Sequence, residues 1–334
     1  MYIPVKADID LKSYRLLLRK QEITYGSVAL ENEMLSTAKI ESIEYKRESV
    51  RNILKGYAPA NEEEKRILGL KKGFDFIADK RNRITEENIH KLYEMTIGEF
   101  LDEDDRLIDN SLYRHSSVHI QDLSGKNIHL GLDYRSVPEV MKNLVSFINE
   151  EDDMNELVKA SIIHFYIAYI HPYFDGNGRM ARLLHMWYLI HSGFDYTLFI
   201  PFSSFILKSN KNYYEAYELI EENEKITGKV DVTPFIMYFN EYVYGRFETE
   251  EIETDTLDKF TDLVHEGAVT EKEVKLWEFV ISYYGTSCFS TKQLEKDFGN
   301  AAYATIRGFV MKFEKYGLLI SKKYSNRTKY QVKK

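Results

Sequence analysis

His171-Pro172-Tyr173-Phe174-Asp175-Gly176-Asn177-Gly178-Arg179-Met180-Ala181-Arg182 joins two segments, Glu156 to Ile170 and Met180 to His191, that are apolar nearly all round. Such segments read as helices buried on every face, and the loop between them carries the polar chemistry. Gly176 and Gly178 permit backbone conformations that turn successive N–H groups toward one point. The helix that follows adds its positive end, which makes an anion nest suited to phosphate. Asp175 stands at the loop edge as a carboxylate suited to Mg2+ shared with phosphate oxygens. Arg179 and Arg182 are three residues apart, share a helical face and can clamp a polyphosphate. His171 is a candidate general base, because imidazole takes a hydroxyl proton near neutral pH. Base, metal ligand, anion nest and cationic clamp together point to chemistry on a nucleotide phosphate.

Outward from this loop the chain reads as mainly α. Its 334 residues suggest about two domains. The single cysteine, Cys288, excludes an intramolecular disulfide framework. The uncharged stretches Ser161 to Phe174 and Tyr196 to Leu207 are shorter than the roughly 18–20 residues of a membrane helix. The N-terminus lacks the apolar region of a signal peptide, so a cytoplasmic protein without membrane contact is expected. Apolar spacing predicts helices over Tyr25 to Arg51 and Glu62 to Lys80, and Thr85 predicts the N-cap of another. Val118-His119-Ile120 and Ile128-His129-Leu130 alternate with period two around a turn-like Asp122 to Lys126, a β-hairpin in helical surroundings. Further helices are expected from Pro138, over Tyr213 to Glu224 and over Pro234 to Tyr244.

The tail changes character. Residues 246–273 are polar and acidic and read as a linker or connecting helix. Val274 to Tyr284, Thr291 to Phe298 (with Ser290 as N-cap) and Ala301 to Tyr316 are helical, followed by a hairpin through Leu318-Leu319-Ile320 and Tyr330-Gln331-Val332. Three helices and a hairpin are the order of a winged helix-turn-helix. Residues 290–334 hold 11 Lys and Arg against three acids, whereas the whole chain carries −8. A basic module of this order makes residues 274–334 a candidate DNA binder.

The loop motif resembles the Fic family signature, His-Pro-Phe-x-Asp-Gly-Asn-Gly-Arg-x-x-Arg, with Tyr173 in place of Phe. The resemblance implies a Fic helical core with a β-hairpin flap. It implies a protein adenylyltransferase that moves AMP from ATP to a Ser, Thr or Tyr hydroxyl of a target protein, itself included. In that family's terms His171 deprotonates the hydroxyl and Asp175 binds Mg2+. Gly176, Asn177, Gly178 and Arg179 hold phosphates, and Arg182 orients the γ-phosphate. Tyr214, of the pair Tyr213-Tyr214, resembles an adenine contact. The hairpin, through Val118, His119, Ile120 and Gln121, resembles the flap that docks the target by strand addition.

Upstream, Ser27-Val28-Ala29-Leu30-Glu31-Asn32 resembles the family's inhibitory motif, Ser/Thr-x-x-x-Glu-Gly/Asn, on a helix of about 25–40. Glu31 is then expected to pair with Arg182 and repel the γ-phosphate. The resulting division is residues 1–100 as an N-terminal helical region, 101–245 as the Fic core, 246–273 as linker and 274–334 as the winged-helix domain. A homodimer is compatible with the aromatic content. Two other functions stay open at this point: removal of AMP by the same fold, and a DNA-binding regulator whose core senses nucleotide.

Overall fold

The computed structural model describes residues 26–121, 127–194, 197–198, 200–246, 254–284, 288–299, 301–324 and 327–333. Two units are distinguished, one within residues 30–247 and one within residues 248–334. Among the described residues, no helix is long and apolar enough to cross a membrane.

The first unit is helical apart from one hairpin. Its elements run α1 (Gly26–Ile40), α2 (Arg47–Leu54), α3 (Glu62–Ala78), α4 (Glu86–Thr96), β1 (His119–Gln121), β2 (Asn127–Leu130), α5 (Val137–Asn149), α6 (Glu156–Ile170), α7 (Asn177–His191), α8 (Phe202–Lys208), α9 (Asn210–Thr227) and α10 (Thr233–Tyr238). Helix starts follow side-chain capping. Asn61 accepts from the Glu64 N–H at 2.8 Å, Thr85 from the Asn88 N–H at 3.2 Å, and Asn155 from the Leu157 N–H at 2.9 Å. Each satisfies an N–H that the first helical turn leaves without a partner. Helices α6 and α7 form the centre, with Phe165, Ile167, Leu184 and Trp187 fully buried, and α3, α5 and α10 pack around them. His164 and His185 belong to this core. His164 Nε2 lies 2.9 Å from the Tyr213 hydroxyl and His185 Nε2 3.3 Å from that of Tyr244. Burial pushes both imidazoles below the usual histidine range, His185 to about 3.

The hairpin pairs β1 and β2 antiparallel, His119 opposite Leu130 and Ile120 opposite His129, with a bulge between Ile120 and Gln121. Among the described residues this sheet has two strands, which leaves β1 an edge of the form that accepts an added strand. The side chains of His119, Ile120 and Gln121 lie outside the described residues, as does the turn 122–126.

One helix expected from the sequence is two. The segment from Tyr25 to Arg51 breaks after Ile40, where Ser42 takes the left-handed φ of 59°. The Ile43 N–H reaches back to the Ala38 carbonyl at 2.9 Å and the Ser42 N–H to the Lys39 carbonyl at 3.1 Å. This pair of bonds is the Schellman ending of a helix, and it leaves Glu41 as the C-cap.

The second unit contains α11 (Thr254–His265), α12 (Glu271–Tyr284), α13 (Thr291–Phe298), α14 (Tyr303–Lys315), β3 (Leu319–Tyr324) and β4 (Arg327–Val332). Ser290 and Gln293 form a reciprocal capping box at α13. Strands β3 and β4 pair antiparallel, and Phe289 bridges to Tyr330 as a short third strand. The core is Leu276, Trp277, Phe309, Phe313 and Leu319, with Phe260 and Leu263 of α11 packed on it. Within 246–273, read as a linker or connecting helix, α11 occupies Thr254–His265.

Candidate active site

The loop 171–176 leaves α6 and enters α7 through two left-handed residues, His171 at φ 54° and Gly176 at φ 82°. The His171 N–H caps α6 by bonding the Ile167 carbonyl at 3.1 Å. Its Nδ1 lies 3.2 Å from the Ala168 carbonyl. A carbonyl only accepts, so Nδ1 carries a proton in this contact, and Nε2 is the nitrogen that is basic when the ring is neutral. Asn177 is buried and its amide grips the Tyr173 backbone from both sides, accepting from N–H at 3.0 Å and donating to the carbonyl at 2.9 Å. Its side chain therefore holds the loop's shape, and its backbone N–H is what it can offer an anion. Tyr173 stacks on Tyr93 with ring centroids 3.6 Å apart, and among the described residues neither buried hydroxyl has a hydrogen-bond partner.

Asp175 stands half exposed at the mouth. One carboxylate oxygen accepts from the Gly176 N–H at 2.5 Å and the other from Arg179 at 3.0 Å. Among the described residues, no three His, Cys, Asp or Glu side chains gather to hold a metal unaided. A single carboxylate fits Mg2+, which is usually held by one or two carboxylates together with substrate phosphates. Both Asp175 oxygens keep acceptor capacity beyond the bonds already made.

Arg182 does not meet Glu31. It is buried, its Nε donates to the Thr37 hydroxyl at 2.7 Å, and one Nη donates to the Thr37 carbonyl at 3.3 Å and to Glu41 Oε1 at 2.6 Å. Burial opposes its charge, but Glu41, with Tyr213 and Glu33, more than offsets this and raises its pKa. Glu31 instead pairs with Arg47 and, at 2.9 Å, with Arg51 of α2, and Asn32 accepts from Arg47 at 3.3 Å. Helix geometry gives the reason. Glu31 lies about 120° round α1 from Thr37 and about 15 Å along the axis from Glu41. Ser27 falls in the first turn of α1, and its side chain is outside the described residues.

Glu41 also reaches the nest itself. A β-carbon on Gly178 would come within 2.5 Å of Glu41 Oε1 and 3.3 Å of Arg182 Nη1. The absence of a side chain at 178 is thus what lets a carboxylate sit against the first turn of α7. A signal for Glu41 is in the sequence: Thr37-Ala38-Lys39-Ile40-Glu41-Ser42 repeats the Ser/Thr-x-x-x-Glu spacing, with Ser at the final position. That position is left-handed here, which accounts for a Gly or Asn preference there.

Glu33, missed in the sequence, lies one turn before Thr37 on the same face. It is buried and accepts from both the backbone N–H (2.7 Å) and the hydroxyl of Ser203 at the start of α8. Burial pushes its pKa up to about 7, with Ser203 and the Arg182 charge pulling back in part. The tyrosine pair divides. Tyr213 is core, while Tyr214 is 36% exposed and close enough to Glu41 and Arg182 for their charges to be felt.

Residues 83–189 match the Fic/DOC family. That span is similar to a Fic domain. Its curated relatives include "Protein adenylyltransferase Fic" of Aedes aegypti, 25% identical over 64% of this chain and 38% of that protein. Another is "Protein adenylyltransferase fic-1" of Caenorhabditis elegans, 29% identical over 30% of this chain and 18% of that protein. The chain thus spans about two-fifths or less of the length of these relatives. Among solved structures, a Fic family protein from Desulfovibrio desulfuricans G20 shares the fold with a TM-score of 0.57 and 18% identity, covering 92% of this chain and 87% of that one. C. elegans Fic-1 aligns with a TM-score of 0.50 at 18% identity, over 70% of this chain and 68% of that one. The matched span contains α4, the hairpin, α5, α6, the loop and all but the last two residues of α7, and it excludes α1 with Glu33 and Glu41.

Proposed function

We propose that this chain transfers AMP from ATP to a hydroxyl of a target protein and restrains itself through Glu41. The observation that carries the reading is a carboxylate, Glu41, lying against Gly178 at the N-terminus of α7 and paired with Arg182. An anion already sits where the loop would hold phosphate. In the reaction, the N–H groups of the first turn of α7 and the guanidinium of Arg182 take the polyphosphate. His171 Nε2 accepts the proton of the attacking hydroxyl. The oxygen bonds to the α-phosphorus, and the bond from that phosphorus to the bridging oxygen breaks, releasing pyrophosphate. Mg2+ held by Asp175 and phosphate oxygens would supply charge neutralisation. Tyr214 lies at the rim, where an adenine ring can stack. Purified His171→Ala should keep ATP binding and lose labelled-AMP transfer in a Glu41→Gly background; retained transfer sinks the base assignment.

For the second unit, the exposed face of α14 favours a winged helix that binds duplex DNA. Tyr303, Ala304, Arg307, Gly308, Met311 and Lys315 are solvent-facing, and none is acidic. Lys322 and Lys323 of β3 are exposed in the hairpin, and the one acid of α14, Glu314, accepts from Ser321. A cationic face of this kind binds phosphate with a steep salt dependence. Titrating the full chain with duplex DNA at rising salt should give a linear loss of log affinity, shallower for Arg307→Ala. Salt-independent or absent binding refutes the DNA reading.

A further inference from the structure

Arg114 stands just before the hairpin, outside the loop motif, and is 2% exposed. Its guanidinium donates to three backbone carbonyls from three segments. Nε donates to His171 at 2.7 Å, one Nη to Ser116 at 2.6 Å, and the other to Leu132. Its own N–H bonds the Pro172 carbonyl at 2.9 Å. Ser116 precedes β1 and Leu132 follows β2. One planar fork therefore closes both ends of the hairpin onto the residue that carries the imidazole, a geometry that a lysine ammonium cannot reproduce.

Gly131 completes the cluster. Its N–H bonds the Val118 carbonyl at 3.2 Å, and a β-carbon there would meet Val118 at 2.8 Å, Arg114 Nη2 at 3.1 Å and His171 Cβ at 3.4 Å. His171 is itself held in the left-handed region at φ 54°, a conformation a non-glycine residue keeps only where neighbours impose it.

We propose that Arg114 is a positioning residue that fixes the distance between the His171 imidazole and whatever strand lies along β1. This rests on the reading of His171 as base and of the hairpin as the docking edge. The clamp sets register on one side and ring placement on the other, so a docked hydroxyl arrives within reach of Nε2 without any side chain of the target being read. Misplacement of a reacting group by about 1 Å can cost on the order of 100-fold in rate.

The test uses Arg114→Lys and Gly131→Ala, each in the full-length Glu41→Gly chain. The expected result is a roughly 10- to 100-fold loss of kcat for AMP transfer, with KM for ATP within about twofold of the parent. A loss confined to KM for ATP overturns the proposal, as does an unchanged kcat in both variants. Amide exchange gives a readout independent of transfer. In both variants the amides of 116–121, 127–132, His171 and Tyr173 should exchange faster together, while those of the middle of α6 and α7 do not change. Faster exchange in the hairpin alone, with His171 and Tyr173 protected as before, overturns the clamp. If the Glu41→Gly parent transfers nothing, the activity reading fails and exchange still decides the role of Arg114. If Arg114→Lys does not fold, Gly131→Ala decides it by the same measurements.

Discussion

Replacing Glu41 with Gly should convert a nearly silent protein into an active one. Glu41 holds Arg182 at 2.6 Å, with the arginine side chain 3% exposed and the carboxylate 23%. Exposed pairs contribute about 0–1 kcal/mol, and removing one partner of a buried pair costs about 3–5 kcal/mol. This half-buried pair falls between, at about 2 kcal/mol. A bias of that size leaves the arrangement with Arg182 turned to phosphate populated at about one part in 30. Removing the carboxylate abolishes the bias and also opens the space over Gly178. Transfer at saturating target and at ATP well below its Kd should therefore rise about 30-fold, because the apparent Kd for ATP falls by that factor. The assay is incorporation of label from α-labelled ATP into protein, with nucleotide affinity measured separately by calorimetry. Glu41→Gln, which removes charge but keeps bulk, should lie between wild type and Glu41→Gly. Glu31→Gly is the decisive comparison, because Glu31 touches Arg47 and Arg51 and has no place near the loop. Activation by Glu31→Gly equal to that by Glu41→Gly would refute the argument, as would a change of less than about threefold in Glu41→Gly.

Other perturbations read other parts of the same site. Glu31→Gly should lower Tm without raising transfer, since it strips α2 of a carboxylate shared by two arginines. Glu33→Gln should flatten the pH dependence of stability. In the wild type the acid keeps its proton up to about pH 7 when folded but loses it near its ordinary 4.5 when unfolded, so stability is highest below 4.5 and falls as pH rises to 7, by about 3 kcal/mol in all. Thermal melts from pH 4 to 8 check this, and a Tm that climbs between pH 5 and 7 contradicts it. Tyr173→Phe should stabilise by about 1 kcal/mol, because it deletes a buried hydroxyl with no partner among the described residues; a lower Tm would show that the hydroxyl is satisfied. Asn177→Ala should cost about 2–3 kcal/mol and weaken ATP binding, since it orphans both the N–H and the carbonyl of Tyr173.

The loop and its two helices were readable because their signals are local. Apolar residues on every face mark α6 and α7, and the glycines, arginines and His171 lie within one short string. The hairpin was readable from period-two alternation, and α13 from Ser290 and Gln293. The contact of Glu41 with the loop was not, although its pattern is present. A helix drawn unbroken from Tyr25 to Arg51 places Glu41 in mid-helix, where nothing distinguishes it from Glu31. What breaks the helix is a serine in a left-handed turn, and serine is a weak breaker beside glycine or asparagine. The pairing of Arg182 across 141 residues is likewise a tertiary fact. Tyr113-Arg114 reads as the start of the hairpin's first strand, but the clamp made by Arg114 left no signal, because its partners are carbonyls, which every residue has.

Glu31, Glu33 and Glu41 show how helix phase sorts identical residues into different work. Glu33, Thr37 and Glu41 are spaced by four and advance about 40° per step, so they form one slowly turning stripe on α1. That stripe faces Ser203 at one end and Arg182 with Gly178 at the other. Glu31, two residues before Glu33, is rotated about 200° away and meets α2 instead. The stripe couples anchoring to restraint. Glu33 ties α1 to the start of α8, and Ser36 adds a bond to Ser204 at 2.9 Å, so Glu41 is held against the nest by a helix fixed at two points. Loosening the Glu33 anchor must then weaken the hold of Glu41 on Arg182 without touching either residue. Raising the pH through 7 charges Glu33 in its buried site, and on the proposed reading the helix that holds Glu41 against the loop becomes easier to lift.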